Sequence, residues 1–336
     1  MPQEFFKTRL SPPAENGFLL PRKRLLDLVQ QAIKRPLTLL QAPAGYGKTS
    51  LMHQWHEVLK NEGKTVGWLS IESTGADSTE LVAYIGATLS KTTPQFDKSL
   101  GGLCTARDYL NLESMLATLV NGLADSEQSV YLFIDDFQYL SSDAMAVFDR
   151  ILELSPYNFR LIVGSRMIPE IRLARLRATG KLFEVGAEKL RFTAEEITEY
   201  IQHADWNNVD PQTLRLLESS TAGWITGLKL AMLASRGDAT KQHELEEWSG
   251  SDINVSEYFA EQVLSTQSPE VQEFLRSTSM FDRFSAALCD HALEIDQSRR
   301  IIDEIEHAGL FLVGLDGERN WYEYHPLFRD FLYRNF

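Results

Sequence analysis

Cysteine is scarce: Cys104 and Cys289 are the two in 336 residues. So far apart, they make neither a zinc-ligand spacing nor a disulfide framework, and read as buried thiols of a reducing cytoplasm. Long apolar runs are missing too. Nothing approaches the roughly 20 residues that a membrane-spanning helix requires, and residues 1–10 lack the apolar core of a signal peptide. The expectation is a cytoplasmic protein with no membrane partner. Positive charge is the third shortage, with 33 Lys and Arg against 47 Asp and Glu and a net charge of −14. Such a chain is poorly suited to gripping a nucleic-acid backbone unaided, because phosphate contacts need clustered cations. What remains is an ordinary globular composition, 43% apolar and 24% charged, with a length that implies two or three domains.

The stretch that organises the chain is Leu37-Thr38-Leu39-Leu40-Gln41-Ala42-Pro43-Ala44-Gly45-Tyr46-Gly47-Lys48-Thr49-Ser50. An apolar run reads as a buried strand. A loop of small residues follows, and Lys-Thr opens a helical pattern through Leu51, Met52, Trp55, Val58 and Leu59. This is the strand, loop and helix context of a phosphate-binding P-loop. Small residues let backbone N–H groups converge on crowded phosphate oxygens, and the helix N-terminus favours anions. Residues 44–50 (Ala44, Gly45, Tyr46, Gly47, Lys48, Thr49 and Ser50) are the expected phosphate cradle. Lys48 would reach the β- and γ-phosphates, and the Thr49 hydroxyl would ligate Mg²⁺. One departure stands out: the pattern begins with Gly, and this chain has Ala42. Ala serves if its φ is negative; a chance Gly turn ahead of Lys-Thr is the bland alternative.

Helical patterns at 79–90 and 110–123, split by a Gly/Thr/Lys-rich loop near 91–103, lie among further strands expected at 65–71, 130–134, 160–164 and 182–185. The third ends in Asp135-Asp136, at the strand edge where ligands of open α/β sheets collect. Asp135 would hold Mg²⁺, directly or through water, and Asp136 would polarise an attacking water; an acid that merely opens a turn is the competing reading. The fourth strand delivers Ser165-Arg166 to the same edge, where a guanidinium can sense γ-phosphate charge. One strand separates the P-loop strand from the Asp-Asp strand in sequence, and no Asn-Lys-x-Asp run is present to read guanine. Both features favour ATP chemistry. Ahead of the P-loop, apolar residues at 25, 28, 29 and 33 predict one helix that stops at Pro36. Arg22 and Arg24 beside it either line a base pocket or lie in solvent.

The first domain therefore closes near 189. Helices at 194–203, 211–219 and 224–234, a polar stretch at 235–251 and a helical pattern at 255–264 make a small helical domain, 190–266. Residues 267–336 show helical stretches near 268–278, 284–293 and 298–308, then two short strands around an Asp316-Gly317 turn. Helices followed by a hairpin read as a winged helix. From Ser268 onward 13 acidic residues face 7 Arg and no Lys, so a structural lid is expected and no direct DNA contact. The last helical pattern runs to Phe336 without a stop signal, as in a fragment of a longer protein. The fold class expected is α/β: a P-loop NTPase parallel sheet, then a small helical domain, then a winged-helix domain.

Seven short runs occur in one order: Gln41–Thr49, Phe133–Phe137, Gly164–Arg166, Leu173–Arg177, Leu190–Thr193, Gly223-Trp224 and Tyr324-His325-Pro326-Leu327-Phe328. With them the chain resembles, over essentially its whole length, the N-terminal nucleotide-binding and winged-helix module of MalT-like regulators. These are ATP-binding transcriptional activators of the LuxR type, within the signal-transduction ATPases with numerous domains. The resemblance implies a switch with weak ATPase activity that is closed with ADP. It opens and self-associates with ATP and an inducer. It also implies that His325 touches the β-phosphate and latches the closed state, and that Arg22, with Arg24 as a second, helps hold the adenine. The family's Gly-x-Pro contact to the base has no proline here, at Gly223-Trp224-Ile225. The rival reading is a stand-alone AAA-like or initiator-type ATPase that couples hydrolysis to mechanical work.

Overall fold

The computed structural model describes residues 7–14, 18–103, 111–204, 206, 209–234, 248–250, 252–316 and 320–335. Cys104, Gly317, Phe336 and most of 235–251 lie outside these. The chain divides into two units, residues 1–42 with 48–189, and residues 43–47 with 190–336.

The first unit is built on a five-stranded parallel sheet: β1 Leu37–Gln41, β2 Thr65–Ser70, β3 Val130–Asp135, β4 Phe159–Ser165 and β5 Leu182–Gly186. Their order across the sheet is β2-β3-β4-β1-β5. Strands covered on both faces carry continuous apolar runs rather than alternation, and every residue of β3 is buried. Register places Gln41 of β1 opposite Ser165 of β4, and Ser70 of β2 opposite Asp135 of β3. The strand inserted in space between the P-loop strand and the Asp-Asp strand is thus β4, the carrier of Ser165-Arg166. The strand that separates them in sequence, β2, lies at the edge.

Helices cover the sheet because their ends are chemically marked. Asp77 accepts from Glu80 N and closes a capping box on Ser78–Ser90. Asn111 caps Leu112–Ala124, and Ser141 caps Ser142–Leu154. Ser78–Ser90 is buried almost all round, through Leu81, Val82, Ile85 and Leu89, so it lies inside the main hydrophobic core with Phe96, Leu116, Leu132, Phe148 and Leu161. Two expectations need correction. The single helix expected across 25–33 is two short ones, Lys23–Leu26 and Val29–Ala32. The loop expected near 91–103 contains the helix Pro94–Leu100, capped by Thr93 with Pro at its first position.

The second unit contains the helices Ala194–His203, Pro211–Thr221, Ile225–Ala234 and Ile253–Gln262. Pro269–Thr278, Ala286–Leu293 and Ser298–His307 follow, then the antiparallel pair β6 Leu312–Gly314 and β7 Tyr322–Tyr324, and a last helix, Pro326–Asn335. Phe284 makes an isolated antiparallel bridge to Tyr322 beside this two-stranded hairpin, which follows the helices as the wing of a winged helix does. Its centre is aromatic: Phe259 stacks on Trp224 at 5.3 Å between ring centroids and also meets Phe311, Phe328 and Phe331. Phe331 and Leu332 of the last helix are buried here and Tyr333 is exposed.

Candidate nucleotide site

In the first unit the helix Lys48–Asn61 begins directly after the loop, with Leu51, Met52, Trp55 and Leu59 buried beneath it. Lys48 is itself buried, and its Nζ donates to the Ala42 carbonyl at 2.7 Å. Burial lowers its pKa to about 8, against the opposing pull of Asp135; nearby Arg166 lowers it further. Asp135, 3% exposed, ends β3 beside it. Burial and the neighbouring Asp136 carboxylate push Asp135 up to about 6, although Thr49 donates its hydroxyl to it and Asp136 its backbone N–H. The geometry therefore brings Lys48, Thr49, Asp135, Asp136 and Arg166 to one edge of the sheet. Ser50 sits partly buried in the same first turn.

Asp136 occupies the left-handed region, with φ 55° and ψ 40°. For a residue with a Cβ this is an uncommon, strained conformation of the kind that collects at functional positions. Gln138, which sequence reasoning passed over, ties two candidates together. Its amide nitrogen donates to Asp136 Oδ1 at 2.8 Å, and its amide oxygen accepts from the Arg166 backbone at 3.0 Å. Among the described residues the Arg166 guanidinium has no hydrogen bond or ion pair of its own. Ser165 is fully buried and turns its hydroxyl to the Met167 carbonyl at 2.7 Å, so its role here is to shape the strand exit. Gly164 explains itself by contact: a Cβ there would fall 2.8 Å from Asp135 Oδ1 and 2.6 Å from Met52 Sδ. Ala42 does not adopt a positive φ, so the replacement of the usual Gly is harmless to the backbone.

Arg22 is buried at the start of Lys23–Leu26. Arg24 is exposed and donates to the Lys189 carbonyl at 2.5 Å. The two arginines thus differ in environment, and Arg22 is the better placed to contribute a desolvated charge.

Residues 43–47 pack within the second unit. Gly45 and Gly47 have φ values of 77° and 81°, which glycine adopts without strain. Tyr46 is buried; burial raises its pKa, and a hydrogen bond from Arg191 works the other way. Its ring lies 6.1 Å from that of Phe311. Phe311 holds φ 55°, an outlier for so bulky a residue, and its ring meets Trp224 and His325. Nothing in a linear pattern marks Phe311, because its strain exists only once the hairpin and the aromatic cluster have formed.

His325 is 1% exposed. Burial drives its pKa down to about 4, helped by Arg191 and opposed by its bond to Thr221. Its Nε2 lies 2.8 Å from the Thr221 carbonyl. A carbonyl only accepts, so Nε2 carries the proton and Nδ1 holds a lone pair. That Nδ1 is buried without a hydrogen-bond partner among the described residues.

Do these residues fit a magnesium nucleotide? In the first unit the buried Lys48 and the unengaged Arg166 guanidinium suit a polyphosphate. Thr49 and Asp135 supply the hard oxygen donors Mg²⁺ prefers. No three His, Cys, Asp or Glu side chains gather among the described residues, so the protein would lend the ion one or two oxygens and phosphate and water the rest, as Mg²⁺ commonly accepts. No helix in the described residues is long and apolar enough to cross a membrane.

Residues 260–336 match the MalT winged helix domain. The serine/threonine-protein kinase PknK of Mycobacterium tuberculosis is 30% identical over 97% of this chain and 30% of its own length. The HTH-type transcriptional regulator MalT of Klebsiella pneumoniae is 30% identical over 97% of this chain and 36% of its length, and that of Vibrio campbellii 29%. The chain therefore spans about a third of the length of these relatives. Among solved structures, Cdc6p of Pyrobaculum aerophilum aligns over 96% of this chain and 94% of its own at 14% identity, with a TM-score of 0.46, too distant a likeness to argue from.

Proposed function

We propose that this chain, with its match to the MalT winged helix domain and its 30% identity to MalT, is the adenine-nucleotide-binding switch of a transcription regulator, holding ADP at rest and taking ATP in its active, self-associating state. The observation that carries this reading is the convergence of Lys48, Thr49, Asp135, Asp136 and Arg166 at one edge of a parallel sheet, following a loop with two positive-φ glycines. Lys48 and Arg166 would face the phosphates, the loop N–H groups and Ser50 would line them, and Thr49 and Asp135 would hold Mg²⁺. When bound there, the ion and nucleotide would supply a polarised terminal phosphoryl group. Asp136, whose Oδ1 accepts from the Gln138 amide, would accept a proton from water.

In the switch reading turnover is weak. Weak hydrolysis would serve to reset the state. Residues 190–266 and 267–336 would be the helical and winged-helix parts of the module, with Arg22 and Arg24 toward the base and His325 toward the phosphates. The acidic C-terminal part argues against direct DNA contact, leaving that to other parts of a longer cytoplasmic protein.

The test is nucleotide analysis of the purified chain, followed by ADP and ATP titration of wild type and Lys48→Ala. Retained ADP with slow release, lost in Lys48→Ala, is the expected result. Undiminished affinity in Lys48→Ala would overturn the phosphate assignment. Brisk steady-state ATP turnover would favour the motor reading instead.

A further inference from the structure

We propose that Trp224 and Thr226 are positioning residues for the phosphate loop, setting the direction of its N–H groups by holding its carbonyls from behind. This deepens the nucleotide reading and rests on it. The Trp224 indole N–H donates to the Ala44 carbonyl at 3.0 Å. The Thr226 hydroxyl donates to the Gly45 carbonyl at 3.1 Å, and the Thr226 backbone N–H reaches the same oxygen at 3.3 Å. All four residues belong to the second unit.

The consequence follows from peptide geometry. No cis bond occurs, and in a trans peptide the C=O and the next N–H point in opposite directions. Fixing the Ala44 carbonyl on Trp224 turns the Gly45 N–H away from the indole. Fixing the Gly45 carbonyl on Thr226 does the same for the Tyr46 N–H. An anion cradle needs its N–H groups turned inward together. Left alone, each peptide plane could rotate, and the cradle would be assembled only on binding.

Two further observations fit this role. Trp224 is immobilised: it is fully buried, stacked on Phe259 and edge-on to Phe311 and His325. Gly45 is required on this side as well as on the phosphate side, because a Cβ there would lie 2.4 Å from Thr226 Oγ1 and 2.7 Å from Trp224 Nε1. The run Gly223-Trp224-Ile225-Thr226 therefore has a job that needs an indole N–H and a hydroxyl, and no proline.

The experiment compares fluorescent-ADP affinity and release for the full chain carrying Thr226→Val, Thr226→Ser, Trp224→Phe or Lys48→Ala. Valine keeps the shape and removes the hydroxyl; serine keeps the hydroxyl and removes the methyl. Positioning predicts that Thr226→Val and Trp224→Phe each weaken binding about three- to tenfold, mainly through faster release, while Thr226→Ser stays within about twofold of wild type. The reverse order, with serine impaired and valine normal, would mean packing alone and overturn the proposal. Wild-type-like binding by both Thr226→Val and Trp224→Phe, with Lys48→Ala inactive, would overturn it while leaving the nucleotide reading intact. A wild-type chain that binds no ADP would remove both.

Discussion

Replacing Asp135 by Asn should stabilise the nucleotide-free protein at neutral pH while impairing its Mg²⁺-dependent binding. The carboxyl is raised from an ordinary 3.8 to about 6, first by burial and then by Asp136. A raised acid loses stability for the fold as pH climbs from its unfolded value through its folded one. For Asp135 that window runs from about 4 to 6, and the ionised form at pH 7 costs about 3 kcal/mol. Lys48 acts from the other side. Its lowered value, about 8, means that stability present at high pH is lost as pH falls through about 8. The two costs overlap between about pH 6 and 8, where a bound magnesium polyphosphate would supply the missing counter-charges. Asn keeps an oxygen to accept from Thr49 and the Asp136 N–H, so the net gain should be about 2 kcal/mol, or about 4–8 °C in midpoint for a unit of this size. Thermal and urea unfolding in EDTA, on protein stripped of nucleotide, reads it. The difference between Asp135→Asn and wild type should fall below about 1 kcal/mol near pH 4. A variant less stable than wild type at pH 7, or a gain independent of pH, would refute the reasoning.

Gly164→Ala should act at the same carboxylate from behind. The new Cβ would meet Met52 and Asp135, so overpacking of about 1–3 kcal/mol is expected, with Mg²⁺-dependent nucleotide binding weakened more than binding in EDTA; calorimetric titration in the two conditions checks this. Cys289 is fully buried, and burial with Asp290 nearby pushes its thiol up to about 12. It should resist thiol reagents at pH 8 until urea unfolds the chain, which peptide mass analysis can follow apart from Cys104.

The sheet was legible because each strand is an uninterrupted apolar run, and because β1, β3 and β4 each end in chemistry that belongs at a carboxyl edge. Their spatial order was not. Strand adjacency is set by crossovers, and nothing local distinguishes β4 from β2 as the neighbour of β1. The helix Pro94–Leu100 hid in a stretch of Thr, Pro, Gln and Lys, and was betrayed only by its Thr-Pro start. The single helix expected at 25–33 broke in two although its apolar spacing was right, since periodicity records which face is buried and not whether the backbone is continuous. Of the site, Lys48, Thr49, Asp135, Asp136 and Arg166 could be named from spacing. Gln138 could not, being a polar residue in a loop whose two hydrogen bonds depend on a β3–β4 contact. Trp224 stood out in its Gly-Trp run, but its partner and that of Thr226 did not: these are the backbone oxygens of Ala44 and Gly45, 180 and 181 residues away in sequence, and a carbonyl leaves no signature in an amino-acid sequence.

His325 constrains what any latch can be. With Nε2–H committed to the Thr221 carbonyl, the ring presents only the Nδ1 lone pair, and a lone pair repels phosphate oxygen. For His325 to grip a phosphate, either Nε2–H must leave Thr221, or Nδ1 must acquire a proton. Burial and Arg191 forbid the second in the protein alone, holding the pKa near 4. A phosphate dianion alongside would reverse that sign, because an opposite charge favours the ionised ring. Latching by Nδ1 therefore predicts that ADP binding near pH 6 takes up a fraction of a proton that His325→Gln does not. Titration calorimetry in buffers of different ionisation enthalpy measures it, and the difference between wild type and variant removes contributions from Lys48 and Asp135. Equal proton uptake in the two, with unequal release rates, would leave Nε2 as the gripping atom and Thr221 as the partner it abandons. Equal uptake with equal release rates would mean that His325 fastens Thr221 to the C-terminal helix and touches no nucleotide at all.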